Sequence, residues 1–288
     1  GGDVYIGVVG PVRTGKSTLI KRIMEELVIP NIDDPYRKER ARDELPQSGS
    51  GKTIMTSEPK FVPEEAVEIS PDGTAKLKVR MIDCVGYLIP EAMGAVENGQ
   101  PRMVRTPWRQ EPMPFAQAAE MGTHKVITEH STIGMLITTD GSIGDISRQS
   151  YVEAEERIVG ELKALGKPFA MILNSARPSS DAAVALAYEL EAKYGVPVAL
   201  VSCMDLDAED IRHILELVLH EFPVSEVRVR LPEWTTALEP THPIHAALMT
   251  QLRRSADRVS RIGDIRDAFA DFTDCEYVEA AEVEEVDL

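Results

Sequence analysis

Short apolar runs alternate with longer amphipathic stretches along most of this chain of 288 residues. Residues 4–9 form an apolar run that predicts a buried parallel strand, and residues 17–27 repeat apolar positions at the helical period. Alternation of this kind predicts an α/β fold with a mostly parallel sheet between layers of helices. Three further strand–helix units follow the same order: residues 133–138 with 151–164, 168–173 with 182–194, and 197–202 with 208–222.

One pair of strands breaks this alternation. Residues 66–70 and 77–83 alternate apolar and polar positions around Pro71-Asp72-Gly73, whose chemistry is typical of a turn, so they predict a β-hairpin. Pairing within a hairpin is antiparallel, and the predicted sheet therefore has one antiparallel edge strand. Residues 31–60 and 84–130 lack a clear period and predict a long loop and a long insertion near the site.

The pattern changes after residue 223. Residues 224–231 predict a strand and residues 242–260 a helix, whereas the acid-rich residues 276–288 are predicted to be disordered. The chain is therefore predicted to contain one domain over residues 3–222, the start of a second over residues 223–274, and an acidic tail over residues 275–288.

An octapeptide between the first predicted strand and the first predicted helix matches the pattern G-x-x-x-x-G-K-[ST]. In this loop glycines let backbone N–H groups converge on phosphate oxygens, the lysine reaches the β- and γ-phosphates, and the serine ligates Mg²⁺. The chain is thus predicted to be a P-loop nucleoside triphosphatase, a three-layer α/β sandwich with a short C-terminal extension. The residues predicted to bind nucleotide here are Gly10, Arg13, Thr14, Gly15, Lys16, Ser17 and Thr18.

A carboxylate at the end of the hairpin's second strand supplies the other half of the predicted site. Asp83 opens the segment Asp83-Cys-Val-Gly86, in which the carboxylate is placed to hold Mg²⁺ opposite the loop and the glycine lets the γ-phosphate approach the backbone. The antiparallel strand beside it resembles the layout of the translation-factor-like and Ras-like GTPases. That layout implies a threonine before the hairpin that closes on Mg²⁺ and the γ-phosphate. Thr53, Thr56 and Ser57 are the candidates, and Thr56 is preferred.

The position after Gly86 departs from the GTPase pattern. Ras-like enzymes place a water-orienting glutamine there, and this chain has Tyr87. Intrinsic hydrolysis is therefore expected to be slow, or to depend on self-association or on a residue of the insertion. Arg102, Arg105 and Arg109 are candidates to supply charge to the transition state, and solvated surface arginines are the alternative interpretation.

The segment that reads the base is also altered. GTPases read guanine with Asn-Lys-x-Asp, whose aspartate accepts hydrogen bonds from the base, and the matching segment here is Asn174-Ser175-Ala176-Arg177. An arginine cannot accept those bonds, and each unpaired guanine donor costs roughly 1–3 kcal/mol. ATP is therefore favoured over GTP, with Asn174 and with Ser202 of the next predicted loop among its contacts.

Composition narrows the partners and the compartment. The formal net charge is −17, so an acidic surface argues against nucleic acid and anionic lipid as partners of a broad face. Three widely spaced cysteines form no disulfide or zinc pattern, which predicts a reducing, cytoplasmic location. No apolar run reaches about 18 residues, so no membrane-spanning helix is predicted.

Beyond these motifs, four longer segments resemble the stage IV sporulation protein A family. They begin at Gly10, Thr53, Met81 and Thr138, and Pro107-Trp-Arg-Gln-Glu-Pro-Met-Pro-Phe-Ala116 adds to the match. The resemblance implies a cytoplasmic ATPase of endospore-forming bacteria that polymerises on the forespore surface and builds the basement layer of the spore coat. It also implies that regions mostly beyond Leu288 bind a small amphipathic membrane-bound peptide and other coat proteins.

Carried over by motif, the resemblance assigns Lys16 as the Walker A lysine, Asp83 as the Walker B aspartate, and Thr56 with Ser57 as sensor residues. Ser57 stands where a second threonine is expected. Two other functions stay open: a GTPase switch of the translation-factor class, and a non-catalytic structural protein that binds ATP for stability. Competition between GTP and ATP separates the first, and phosphate release separates the second.

Overall fold

The structure, a computed structural model, describes residues 3–46, 59–69, 77–92, 94–97, 99–270, 272 and 275–281. Thr53, Thr56, Ser57 and the predicted turn at residues 71–73 lie outside the described residues, as does the end of the acidic tail. Two compact units divide the chain, one that ends at Val218 and one that begins at Leu219.

Ten strands lie among the described residues of the first unit, and the six over residues 60–114 follow one another without a described helix between them. The strands are β1 (Asp3–Val9), β2 (Lys60–Ile69), β3 (Leu77–Asp83), β4 (Val96–Glu97), β5 (Gln100–Pro101), β6 (Met103–Thr106), β7 (Arg109–Pro114), β8 (Ile133–Thr139), β9 (Phe169–Asn174) and β10 (Val198–Val201). The α-helices among the described residues of both units are α1 (Lys16–Ile23), α2 (Pro35–Asp43), α3 (Phe115–Lys125), α4 (Gln149–Ala164), α5 (Asp181–Tyr194), α6 (Ala208–His220), α7 (Pro243–Ala256) and α8 (Asp264–Ala270).

A six-stranded sheet with the order β10-β9-β8-β1-β3-β2 forms the centre of the first unit. All its neighbouring pairs are parallel except β2 with β3, which is antiparallel and lies at the edge. Every residue of β8 and β9 is buried, as expected for parallel strands covered on both faces. The predicted α/β fold with a mostly parallel sheet and one antiparallel edge strand is confirmed.

Helix ends follow local chemistry. Ser180 caps α5, since its side chain accepts a hydrogen bond from the Ala183 N–H at 3.3 Å, and Gly195 ends the helix with φ of 65°. After α1, the chain continues as a π-helical turn (Met24–Val28) and a 3₁₀ turn (Ile29–Asn31). None of the helices among the described residues has the length and apolar character to cross a membrane.

The prediction of a loop over residues 31–60 is wrong in part, because α2 lies within it. The Asp34 side chain caps α2 by accepting hydrogen bonds from the Tyr36 and Arg37 N–H groups, and Pro35 occupies the first helical position. The helix escaped prediction because it has no apolar stripe, and Ala41 is its one buried residue.

The predicted insertion over residues 84–130 contains regular structure. Two small antiparallel hairpins, β4 with β5 and β6 with β7, lead into α3 and a π-helical turn (Val126–His130). Phe115, Ala118 and Ala119 of α3 are buried, so the helix is anchored by its apolar face.

One of the two elements predicted for the second unit does not form. Residues 224–231 form no strand, and Val227 and Val229 are 37% and 45% exposed, because no neighbouring strand among the described residues pairs with them. The predicted helix over residues 242–260 is confirmed as α7, which ends earlier, at Ala256. A 3₁₀ turn (Glu233–Ala237) precedes it and α8 follows.

Candidate nucleotide-binding site

The loop between β1 and α1 packs against the rest of the sheet at its glycines. A Cβ on Gly10 would lie 2.2 Å from the Ile137 carbonyl oxygen, and one on Gly15 would lie 2.5 Å from Asn174 Nδ2. Gly15 and Arg13 have φ of 98° and 64°, in the left-handed region. A side chain at either glycine would therefore clash with the neighbouring strands, and the loop can adopt this conformation only with glycine at both positions.

Thr14 holds this loop from inside. Its side chain is fully buried, and its hydroxyl donates a hydrogen bond to the Pro11 carbonyl oxygen at 3.0 Å. The loop continues into α1, whose cap residue Gly15 has no side chain and whose first turn carries no acidic residue. Ser17 and Thr18 lie half-buried in that turn, so its free N–H groups are suited to an anion.

Lys16 is buried beneath the loop, with 6% of its surface exposed. Its ammonium donates hydrogen bonds to the carbonyl oxygens of Pro11 at 2.6 Å and Gly10 at 3.4 Å. Burial lowers the pKa of Lys16, and the neighbouring Cys84 and Asp83 offset only part of that shift. A phosphate beside this ammonium would favour its charged form.

Asp83 lies opposite the end of β1, because the parallel register pairs it with Val8. The Ser17 hydroxyl donates a hydrogen bond to Asp83 Oδ2 at 3.1 Å. Burial raises the pKa of Asp83, while Lys16 and the bond from Ser17 lower it only in part. A hydroxyl and a carboxylate this close form an all-oxygen donor set, which fits Mg²⁺.

Gly86 brings its backbone against the loop. Its φ is 92°, and a Cβ there would lie 2.2 Å from the Gly10 carbonyl oxygen and 2.7 Å from Lys16 Nζ. Its N–H donates a hydrogen bond to Thr123 Oγ1 at 3.1 Å. Gly86 was predicted to let the γ-phosphate approach the backbone. In the structure it lies close to the loop and to Lys16, the lysine predicted to bind that phosphate.

The Tyr87 side chain, which stands where Ras-like enzymes have a water-orienting glutamine, is engaged by Glu161 and Arg157. Its hydroxyl donates to both carboxylate oxygens of Glu161, at 2.6 and 2.8 Å, and the Arg157 guanidinium lies 4.2 Å from its ring centre. Burial and Glu161 together raise the pKa of Tyr87. Its backbone carbonyl accepts a hydrogen bond from the Val12 N–H at 2.9 Å, which ties the loop to this segment.

Asn174 joins the phosphate loop to the predicted base-reading loop. Its Nδ2 donates to the Thr14 carbonyl oxygen at 3.0 Å, and its Oδ1 accepts from the Cys203 N–H at 3.0 Å. Both polar ends are therefore engaged within the protein, and Asn174 supports the two loops. The next residue after Cys203 is Met204, which is 67% exposed.

A cluster that sequence reasoning missed lies beside Asn174. Ser175 is fully buried, and its hydroxyl donates to Asp140 Oδ2 at 2.6 Å. Ser142 donates to Asp140 Oδ1 at 2.5 Å and accepts from the Ala176 N–H at 2.8 Å. Burial acts to raise the pKa of Asp140, but the bonds from Ser142 and Ser175 outweigh it and lower the pKa. The sequence did contain a signal for this cluster, because Asp140 and Ser142 lie in the segment beginning at Thr138 that carries the family resemblance. No role was predicted for either residue.

The structure brings most of the predicted site residues together. Those around the loop are Gly10, Arg13, Thr14, Gly15, Lys16, Ser17, Thr18, Asp83, Gly86 and Asn174. Ser202 lies in the loop after β10, where its hydroxyl donates to Asp205 Oδ2 at 2.7 Å. Arg177 is exposed.

The three candidate arginines lie in the insertion. The Arg102 guanidinium lies 4.9 Å from the ring centre of the buried Phe115. Arg105 and Arg109 belong to β6 and β7. Their role in hydrolysis stays a prediction, as do the roles of Thr56 and Ser57.

Two family models together match the whole chain. Residues 1–223 match the ATPase domain of stage IV sporulation protein A, and residues 224–288 match its middle domain. Proteins named stage IV sporulation protein A from Clostridioides difficile (strain 630), Bacillus subtilis (strain 168) and Bacillus anthracis are 53%, 46% and 47% identical to this chain. Each match covers 100% of this chain and 58% of the relative, so the chain spans 58% of their length.

Likeness to a solved structure is weaker. A protein from Thermus thermophilus overlaps 67% of this chain and 22% of its own chain, with a TM-score of 0.36 and 13% identity. A likeness this low carries no argument about function.

Proposed function

Because the chain belongs to the stage IV sporulation protein A family, we propose that it binds ATP with Mg²⁺ and hydrolyses it to ADP and phosphate. The observation that carries the proposal is that four predicted residues meet around one loop: Ser17 hydrogen-bonds Asp83, and Gly86 lies against Lys16, whose ammonium interacts electrostatically with Asp83. The match to an ATPase-domain model supports the same activity.

The proposed roles follow from charge and geometry. The Lys16 ammonium and the N–H groups at the start of α1 bind and orient the β- and γ-phosphates. Ser17 and Asp83 hold Mg²⁺, which when bound neutralises phosphate charge. Gly86 lets the terminal phosphate approach its backbone N–H, and Thr56 with Ser57 are proposed as sensors of that phosphate.

Phosphate release from ATP by the purified chain tests this proposal. Phosphate release that requires Mg²⁺ and exceeds the spontaneous hydrolysis of ATP in buffer would support it. Binding of ATP without any release would favour the structural alternative, and displacement of more than half of the bound ATP by equimolar GTP would favour the GTPase switch.

Base selectivity gives a separate prediction. The wild-type chain is expected to prefer ATP over GTP by less than about tenfold, because loss of the guanine contact removes a preference without creating a strong one for adenine. Arg177 is exposed, so Arg177→Asp can restore a guanine acceptor without disturbing the core. The variant is expected to bind GTP more tightly than the wild type in titrations with both nucleotides.

A charge-matched control accompanies this measurement. Arg212→Asp makes the same change of charge at an exposed position of α6 and is expected to leave the ATP/GTP ratio unchanged. The double variant that adds Ser175→Lys also breaks the buried bond to Asp140, so its fold must be checked. A wild-type preference for GTP contradicts this interpretation of the base pocket. The interpretation is also contradicted if the single and double variants with Arg177→Asp both stay folded and both keep the wild-type ATP/GTP affinity ratio.

We further propose that the whole protein couples ATP hydrolysis to polymerisation on the forespore surface, in the mother-cell cytoplasm, where it contributes the basement layer of the spore coat. The names of its relatives support a role in sporulation. Self-association, a small amphipathic membrane-bound peptide and other coat proteins are the proposed partners, and the family resemblance assigns most of those contacts to regions outside this chain.

Sedimentation tests whether the assembly surface lies outside this chain. The chain spans 58% of the length of its relatives, and the proposed assembly contacts lie mostly in the remainder. We therefore expect it to bind ATP with Mg²⁺ and stay in the supernatant, whereas a full-length relative should pellet with ATP. The control is the same experiment with ADP. Pelleting of this chain that depends on ATP would show that residues 1–288 carry the assembly surface themselves.

A further inference from the structure

Thr123 contacts the phosphate site from a helix outside it. It lies in α3 and is fully buried, and its Oγ1 accepts the Gly86 N–H at 3.1 Å. Cys84, two residues earlier, donates from its Sγ to the Val8 carbonyl oxygen at 3.4 Å, so the start of this turn is held to β1. The Thr123 hydroxyl therefore binds the amide at the end of the turn that begins at the carboxylate of Asp83.

Neighbouring residues fix α3 at this point. A Cβ on Gly122 would lie 3.2 Å from Trp108 Cη2 and 3.4 Å from Pro59 Cδ, so the helix is packed closely against both residues at this position. His124 Nδ1 lies 3.2 Å from Glu161 Oε2, the carboxylate that also binds Tyr87. The tight packing leaves Thr123 little room to follow Gly86 if the Gly86 peptide moves.

An amide carries one proton, and Thr123 and a phosphate compete for it. Gly86 lies against Lys16, the residue that in the proposed function binds the terminal phosphate. A charged phosphate oxygen is a stronger acceptor than a neutral hydroxyl, so the terminal phosphate can take the N–H from Thr123. ADP lacks that phosphate, and with ADP bound the bond to Thr123 remains.

We propose that Thr123 is a specificity-determining residue that competes with the terminal phosphate of ATP for the Gly86 amide. It acts through Gly86 and so sets how strongly ATP is favoured over ADP. This inference rests on the proposed function. If the inference holds, the Gly86 N–H binds Thr123 again once hydrolysis has removed the terminal phosphate. The packing of Gly122 against Trp108 links this change of partner to the β6–β7 hairpin.

Calorimetric titration with a non-hydrolysable ATP analogue and with ADP, both with Mg²⁺, tests the inference. Thr123→Val keeps the shape of the side chain and removes the acceptor. It is expected to lower the thermal stability of the protein without nucleotide and yet to shift the affinity ratio toward the ATP analogue by roughly threefold to tenfold, as loss of one competing hydrogen bond predicts. Thr123→Ser keeps the hydroxyl and should retain the wild-type ratio.

Thr128→Val is the matched control. It removes a hydroxyl that donates to the His124 carbonyl oxygen at 2.9 Å on the same helical segment, away from Gly86, and should leave the ratio unchanged. An equal loss of affinity for both nucleotides in Thr123→Val would show a merely structural role, and a loss for the ATP analogue alone would show support of the phosphate contact; either overturns the inference. Failure of the wild type to bind either nucleotide would instead reject the proposed function.

Discussion

Lys16→Ala is expected to lower the rate of phosphate release from ATP by roughly 10²–10³, because it removes a positive charge that stabilises the transferring phosphate. The ammonium is buried against the loop, where charge acts through a low dielectric and is weakly screened by salt. The measurement is the steady-state rate at saturating ATP and Mg²⁺.

Two further variants separate loss of charge from loss of structure. Lys16→Met keeps most of the aliphatic stem but cannot donate to the Pro11 carbonyl oxygen, and should lose activity to a similar extent. Lys21→Ala removes an exposed lysine of the same helix, whose pair with Glu25 at 3.7 Å contributes less than about 1 kcal/mol, and should retain the wild-type rate. If Lys16→Ala and Lys16→Met stay folded and hydrolyse ATP normally, the assignment of this loop is wrong.

Glu155→Ala is expected to lower the free energy of unfolding by about 3 kcal/mol, because it leaves the partly buried charge of Arg148 and the Tyr194 hydroxyl without their partner. Glu155 is fully buried in α4. Its carboxylate accepts from the Arg148 guanidinium at 2.7 and 2.8 Å and from the Tyr194 hydroxyl at 2.8 Å. The same guanidinium donates to Thr138 Oγ1 at 3.1 Å, so α4, α5 and β8 share the network.

The adjacent residue provides the control for this prediction. Glu156 pairs with Lys193 at 2.6 Å, and the two side chains are 51% and 41% exposed. Glu156→Ala is therefore expected to change the free energy of unfolding by less than about 1 kcal/mol, although the ion pair is as short. Urea denaturation of both variants decides the matter: equal losses would mean that burial of the Glu155 network contributes nothing.

Features that depend on consecutive residues could be predicted from the chain alone. The phosphate loop is one, since the conformation of Gly10 to Ser17 is set by its own glycines and by the helix that follows. The strand–helix order is another, because burial imposes a period on each element separately. The family followed from long matching segments, and comparison with known families confirms it.

Local reasoning was less successful where an element lacks an apolar pattern or needs a partner. The helix α2 has a readable cap at Asp34 and Pro35, but its exposed surface resembles that of a loop. Residues 224–231 carry valines at strand-like spacing, yet a strand exists only when another strand pairs with it. The pattern therefore indicated what the segment could form and not what it forms.

The tertiary structure alone decided which polar groups meet. Asn174 joins Thr14 to Cys203, Tyr87 binds Glu161, and Thr123 accepts the Gly86 amide, all across long stretches of chain. Such partners depend on strand register and on how helices pack against the sheet, and no local window of sequence contains either. A side chain's residue type sets which bonds it can make, and the fold selects the ones it does make.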